Sequence, residues 1–443
     1  MNKMLFQKAL MICVMAGVIL IALYMVSGVI DDRQTYRDAA MHSIEASYAG
    51  SQTLIGPVLV RPYTETVESS EITDKGVKKR NVNKRQLTAT YFPRELDVRG
   101  RVVPSERRHG LYKVEVYEFQ GGLNGRLDVV DPATEGTVVW GEPYLELSVG
   151  DVRGIVGTPK VTVNGVAATM LQGAPQASEW QPNLRIPLRN ATALHGALDF
   201  VIQLDLAGTE TLGIAPVGDS NHLELRSSWR SPLFGGQFLP RTRDVSNSGF
   251  TAAWDVSSLA SGTQMQLQAT QEKAIDMMNV SLTTLVDPYS LSNRAVKYGI
   301  LFVLLTFGGF LIYELMKQLP IHPVQYLLVG FGLAIFFLLL VSFSEHMAFG
   351  LAYLVASVAC IGLLTFYLSY VLRSATRGLG FGVMLTMLYS AIYGLLISED
   401  NALVLGALML FCLLAAVMFV TRRVDWYKGA AELFQTSVTK VTP

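Results

Sequence analysis

The sequence predicts a membrane-embedded α-helical bundle of six spans joined to a large exported all-β domain built as one or more antiparallel sandwiches. Three observations predict it. Between 299 and 420 the only charged side chains are Glu314, Lys317, Glu345, Arg373, Arg377, Glu399 and Asp400, although the chain as a whole carries Lys+Arg 36 against Asp+Glu 36. Apolar runs of bilayer length recur on both sides of a long polar stretch. Within that stretch, residues 31–297, hydrophobicity alternates with period two and Gly and Pro are frequent.

Crossing a hydrocarbon core takes about 20 apolar residues, and the runs at 9–30, 299–315, 324–343, 348–372, 379–397 and 402–420 approach or exceed that length. The first has an apolar part longer than the roughly 7–15 residues of a signal-peptide core, and its best cleavage-like site, Val26-Ser-Gly28, is poor. It reads as an uncleaved anchor. Lys3, Lys8, Lys317, Arg373, Arg377, Arg422, Arg423 and Lys428 fall on one side, whereas the turns containing 344–346 and 398–400 have no Lys or Arg. The positive-inside rule then makes both termini cytoplasmic. The chain divides into a cytoplasmic N-terminus (1–8), an anchor (9–30), an exported domain (31–297), a five-helix region (298–420) and a cytoplasmic tail (421–443), where Arg422, Arg423, Trp426 and Tyr427 suit an interfacial anchor. In a Gram-negative cell the exported domain is periplasmic.

Asp31 to Tyr48 has no helix breaker and extends the anchor as a stalk. Leu198, Phe200, Ile202, Leu204 and Leu206 alternate with Asp199, Val201, Gln203 and Asp205, the pattern of a half-buried strand. Leu145, Leu147 and Val149 alternate with Glu146 and Ser148, and Met265 and Leu267 with Gln264, Gln266 and Gln268; these read as strands too. Asn164-Gly165 has the chemistry of a two-residue hairpin turn, and Gly-Gly at 121–122 and 235–236 punctuates further turns. Cys13, Cys360 and Cys412 all fall in predicted spans, so the exported domain has no disulfide, thiol catalyst or Cys-based metal site and is held together by burial.

Balanced charge gives no reason to expect a nucleic-acid partner. There is no G-x-S-x-G elbow, H-E-x-x-H helix, Walker A loop or C-x-x-C, and no cofactor or metal is expected. Gly378-Leu-Gly-Phe-Gly382 opens a span rather than following a strand, so its glycines are read as helix-packing positions.

Inside the membrane region, Glu345, His346, His322 and Gln325 are the candidate polar site, because an ionisable group kept in lipid commonly serves a relay or substrate path. Glu345-His346 also has a plainer reading: a polar turn between two spans, with Ser344 or Glu345 capping the next helix. His322-Pro323 places Pro at a helix start, where its missing N–H does no harm. One His and one Glu are too few to hold a metal. In the exported domain the basic run 75–85 reads as a solvated hairpin tip or as a surface for anionic lipid or polysaccharide, with Arg107-Arg108-His109 beside it. Trp229, Arg230 and Phe234, with Lys78, Lys79 and Arg80, are the candidate contact surface.

Ser-Ser-Trp-Arg-Ser-Pro-Leu-Phe-Gly-Gly-Gln-Phe-Leu-Pro at 227–240, Gly249-Phe250 and Trp254 resemble the CreD family of inner-membrane proteins. So do the stretches at 294–302 and 322–330, Ser-Glu-His at 344–346, Gly56-Pro57 and Arg108-His-Gly-Leu-Tyr112. The resemblance spans essentially the whole chain. It implies an envelope-integrity protein whose expression is linked to the CreBC two-component system and to β-lactam and other envelope stress, and it supplies no reaction or catalytic residues.

The leading expectation is a non-enzymatic envelope protein whose exported domain contacts a cell-wall, lipid or protein partner while the helices sit among membrane lipids. The alternative is a transporter or lipid-handling protein with a path among the last five helices. A hydrolase or transferase using Glu345 or His346 as general base lacks a nucleophile or metal constellation beside them.

Overall fold

The computed structural model describes residues 3–72, 78–110, 112–173, 183–188, 194–268, 275–282, 288–317, 322–398 and 402–421. Two compact units divide the chain: one comprises Met1–Arg37 with Val286–Pro443, the other Asp38–Leu285.

The first helix, α1 (Lys3–Ser47), is continuous through the predicted anchor and stalk. The short helices α2 (Ser258–Ser261) and α3 (Thr263–Gln268) follow much later, in the β-rich unit. Next come α4 (Pro288–Lys297), α5 (Gly299–Lys317), α6 (Pro323–Ser344), α7 (Phe349–Val371), α8 (Ala375–Ile397) and α9 (Ala402–Thr421). Among the described residues, five helical segments are long and apolar enough to cross a membrane: Leu10–Ser47, Pro288–Leu311, Pro323–Ser344, Phe349–Val371 and Ala375–Ile397. The sixth predicted span is helical as α9, but several of its side chains lie outside the described residues, as does the 421–443 tail beyond Thr421.

Small residues let these helices approach closely, the usual interface composition in a bilayer. A Cβ on Gly378 or Gly382 would strike Ser369 or Thr365 of α7, which confirms the packing role read for that glycine motif; a Cβ on Gly380 would meet nothing. Gly330 of α6 faces Ile19 of α1 equally closely. The interior is aromatic: the Phe302 and Phe336 rings each lie edge-on to Tyr389, both with centroids at 4.6 Å.

In the β-rich unit the strands begin with β1 (Gln52–Ile72), β2 (Lys78–Tyr91), β3 (Pro93–His109), β4 (Tyr112–Val129), β5 (Thr137–Trp140) and β6 (Tyr144–Val149). They continue with β7 (Ile155–Val163), β8 (Val166–Ala168), β9 (Leu171–Gln172), β10 (Leu184–Pro187), β11 (Gly196–Thr209) and β12 (Thr211–Ile214). The last are β13 (Ser220–Ser227), β14 (Leu233–Gly236), β15 (Thr242–Ser246), β16 (Gly249–Ser257) and β17 (Met278–Ser281). Among the described residues, one sheet of nine strands runs β14-β17-β12-β1-β6-β10-β9, with β2 and β5 also paired to β1; the other, of eight, runs β15-β16-β13-β3-β4-β11-β7-β8. Leu54, Leu145 and Leu212 from the first share one core with Val98, Phe119, Leu223 and Trp254 from the second.

The sheets are mixed rather than antiparallel throughout. β1 pairs parallel with β12, and β3 parallel with β13, because the chain returns from distant sequence to lie beside strands made much earlier. Alternation reports which face is buried, not the direction of the neighbour.

The strand over 196–209 and the Asn164-Gly165 turn are as read: both turn residues have positive φ, 50° and 77°, in the β7–β8 hairpin. Three other local readings change. Residues 263–268 are helical, not a strand; Thr263 and Leu267, one turn apart, are buried while Met265 is 72% exposed. Six residues fit both periods, and Gly262, left-handed at φ 60°, breaks the chain into two short helical pieces. Gly121-Gly122 lies mid-strand in β4 instead of at a turn, since a Cβ at Gly121 would collide with the Phe119 ring. Glu146 is fully buried and opposite Arg185 in register, so β6 is covered on both faces.

Candidate functional site

The four candidate polar residues of the membrane region occupy opposite ends of one helix. His322 and Gln325 start α6 and cap it: His322 Nδ1 accepts from the Val324 N–H at 3.3 Å, and the Gln325 side-chain oxygen accepts from the His322 N–H at 3.1 Å. Those bonds satisfy N–H groups a helix start leaves unpaired. Glu345 and His346 follow the last residue of α6, 22 residues on, which at 1.5 Å per residue is about 33 Å away. No single site contains all four.

At the far end Glu345 and His346 also part company. His346 is exposed, whereas the Glu345 side chain is only 11% exposed and turns inward. Glu345 sits at the C-terminus of α6, where the helix dipole disfavours a carboxylate. Two groups far away in sequence offset this. The Tyr289 hydroxyl of α4 donates to Glu345 Oε1 at 3.3 Å, and Arg33 Nε of α1 lies 3.6 Å from the same oxygen. Asn293 of α4 approaches Asp31 of α1 at 3.5 Å in the same unit. The turn between α6 and α7 is therefore pinned by a carboxylate to two other helices. Neither Ser344 nor Glu345 caps α7, as the turn reading expected: its N-cap is Ala348, without a side-chain bond, and Ser344 donates back to the Val341 carbonyl at 2.8 Å.

Sequence reading passed over a second polar locus inside the bundle. The Tyr353 hydroxyl of α7 donates to the Tyr389 carbonyl at 2.8 Å. Among the described residues the hydroxyls of Tyr389 and Thr306 are buried without a hydrogen-bond partner, and Ser357 lies one turn from Tyr353. Tyr353, Ser357 and Cys360 recur at one-turn spacing on a single face of α7, and all three are buried. Inside an apolar run such hydroxyls have no signature; only their helical spacing could have marked them.

In the β-rich unit the signature segment is a crossover. After β13 the chain leaves the eight-stranded sheet, forms β14 at the edge of the other, and returns as β15. Trp229 is half-buried; its indole N–H donates to the Ser231 carbonyl at 2.9 Å and its backbone N–H to the Ser227 hydroxyl at 3.1 Å. Phe234 packs edge-on against Phe250 and Trp254, centroids at 5.5 and 5.7 Å, and the Trp254 indole N–H donates to the Phe238 carbonyl at 3.0 Å. These aromatics lock the crossover onto the core. Arg230 is exposed beside them. Lys78, Lys79 and Arg80 begin β2, opposite Ile72, Glu71 and Ser70 of β1; their side chains, and the tip at 73–77, lie outside the described residues. Arg107 and Arg108 are exposed, Arg108 bonded to Glu106 at 2.9 Å.

Among the described residues no three His, Cys, Asp or Glu side chains are grouped as metal ligands.

The family model described as Inner membrane protein CreD matches residues 4–427. The chain is 35% identical over 414 residues to the inner membrane protein CreD of Escherichia coli (strain K12), covering 92% of this chain and 91% of that protein. Among solved structures, the M1 zinc metallopeptidase from Deinococcus radiodurans aligns at 10% identity over 43% of this chain and 42% of that one, with a TM-score of 0.23. A score that low carries no argument about fold or chemistry.

Proposed function

Because the chain belongs to the CreD family of inner membrane proteins, we propose that it acts in the cell envelope without catalysis, through a periplasmic β-rich unit that contacts an envelope component. The observation that carries this reading is the size of that compact unit, Asp38–Leu285, which has its own two-sheet core and lies in the chain between the apolar helices α1 and α5. Lys and Arg on one side of the spans support six crossings with both termini in the cytoplasm. The exposed Arg230, with the solvent-facing parts of the half-buried Trp229 and Phe234, is proposed to present the contact surface together with the basic start of β2. Membrane lipids surround the helices. Photo-crosslinking from position 230 in intact cells tests it: a discrete adduct with wall, lipid or envelope protein is expected, and labelling no different from that of an unreactive control site on β8 would refute it.

A transport or lipid-handling role is the second reading. What favours it is the buried hydroxyl group of Tyr353, Ser357, Tyr389 and Thr306 in the bundle. Separation of His322 and Gln325 from Glu345 and His346 by the length of α6 weighs against a compact polar path through those four. Reconstituted vesicles that show neither lipid scrambling nor solute flux would dispose of it.

A further inference from the structure

On the outward face of the eight-stranded sheet, Asp244 of β15, Thr251 of β16, Arg226 of β13 and Arg101 of β3 stand in one row, in register across four strands. Arg226 and Arg101 are thus directly opposite each other, a like-charge pairing that sheets ordinarily avoid. Arg226 is bonded to Glu224 at 2.6 Å. The Arg101 and Asp244 side chains have no ion-pair or hydrogen-bond partner among the described residues.

The row borders an open groove of about 310 Å³, lined also by Ser228, Ser246 and Ser248. All of the row and these three serines are exposed. The Ser246 and Ser248 hydroxyls are 2.8 Å apart at the tight β15–β16 turn. Gly249 closes the floor: its φ is 133°, and a Cβ there would collide with the Ser227 carbonyl oxygen. Phe250, the aromatic in the lining, is 3% exposed and belongs to the core. The groove therefore offers two guanidiniums, several hydroxyls and one carboxylate, and no apolar anchor of the kind that dominates protein–protein contacts.

We propose that this groove binds an anionic saccharide. An oxyanion of the sugar accepts from Arg101 and Arg226, for which a planar fork of donors suits carboxylate or phosphate. Sugar hydroxyls donate to Asp244 and exchange hydrogen bonds with the Ser and Thr hydroxyls. The inference rests on the reading that the β-rich unit contacts an envelope component, and names the chemistry of one such component.

Calorimetric titration of the full-length protein in neutral-lipid nanodiscs tests it, with trigalacturonate as the carboxylate probe, glucose 6-phosphate as the phosphate probe and maltotriose as the neutral one. At least one anionic probe is expected to bind, and Arg101→Gln and Arg226→Gln are each expected to weaken it tenfold or more. Binding by trigalacturonate alone assigns a carboxylate, by glucose 6-phosphate alone a phosphate. Failure of both anionic probes, equal binding of maltotriose, or unchanged affinity in both variants would overturn the proposal. Crosslinking from position 230 that persists after such a failure would leave the broader envelope-contact reading standing and remove only the saccharide.

Discussion

Arg61 donates to Asp131 Oδ1 at 2.8 Å with its own side chain fully out of water and the carboxylate still 41% exposed. The guanidinium also lies over the Trp140 ring, 3.6 Å from its centroid. Desolvating a cation is costly unless it is paired, so most of the penalty appears when the partner is removed. Asp131→Ala is expected to lower stability by about 2 kcal/mol, below the ~3–5 kcal/mol of a fully buried pair because Asp131 is itself partly solvated and the Trp140 ring and Leu194 carbonyl still face the guanidinium. Chemical denaturation of the full-length protein in detergent measures it; a loss within a few tenths of a kcal/mol would mean that the ring and backbone alone satisfy Arg61.

Glu345 and His346 are expected to respond differently although they are neighbours. Glu345→Ala removes the acceptor of Tyr289 and the counter-charge of Arg33 and should destabilise the helical unit by about 1–2 kcal/mol. His346→Ala should be neutral, as its side chain faces outward. Thermal unfolding of the two variants in one detergent makes the comparison, and equal losses would contradict the pinned turn.

The helical assignment of 263–268 has a direct mutational signature. Leu267→Ala opens a core position and is expected to cost about 2–3 kcal/mol. Met265→Gln, on the solvent side of the same helix, should change stability by less than about 0.5 kcal/mol. A strand would give the two residues, both on one face, similar sensitivity.

Acid stability is expected to depend on Asp151. It accepts from the Gly50 N–H at 3.2 Å, the Arg153 N–H at 3.0 Å and the Arg153 guanidinium at 2.6 Å. The Arg153 side-chain bonds first, then the backbone N–H groups, hold its carboxyl below the usual carboxylate range. A folded pKa below the unfolded one means stabilisation that is complete above about pH 4–5 and lost as pH falls through the folded value. Asp151→Asn should therefore be less stable than the parent at neutral pH and lose less on acidification. Thermal melts between about pH 3 and 7 read this, and parallel curves would exclude Asp151 as a contributor.

Much of the fold was legible in the chain because it depends on local composition. Apolar runs marked the helices, alternation marked β11, and Asn164-Gly165 marked a hairpin by its need for positive φ. What escaped depended on residues brought together from far apart. No local signal sets β13 parallel to β3, and Gly121 reads as a turn residue until the Phe119 ring that excludes a Cβ is known. The candidate site divides the same way. His322 and Gln325 sit at a helix start whose Pro was visible in sequence, but grouping them with Glu345 by residue type overlooked the 22 residues of α6 between them. The partners of Glu345, Arg33 and Tyr289, come from either side of the whole β-rich unit and carry no pattern that points to it.

The long first strand imposes an order of assembly. Gln52–Leu54 of β1 must find Leu212–Ile214 of β12, which are made only after most of the unit has emerged, and β17 must then add beyond β12. Pairings so distant along the chain close slowly. Until they do, the edge of β1 that β2 covers from Leu59 onward stays bare over Gln52–Leu54, so newly made chains carry an adhesive edge through much of their synthesis. Escort by a holdase, or a rate of synthesis matched to strand completion, is the demand this topology places on the cell that makes it.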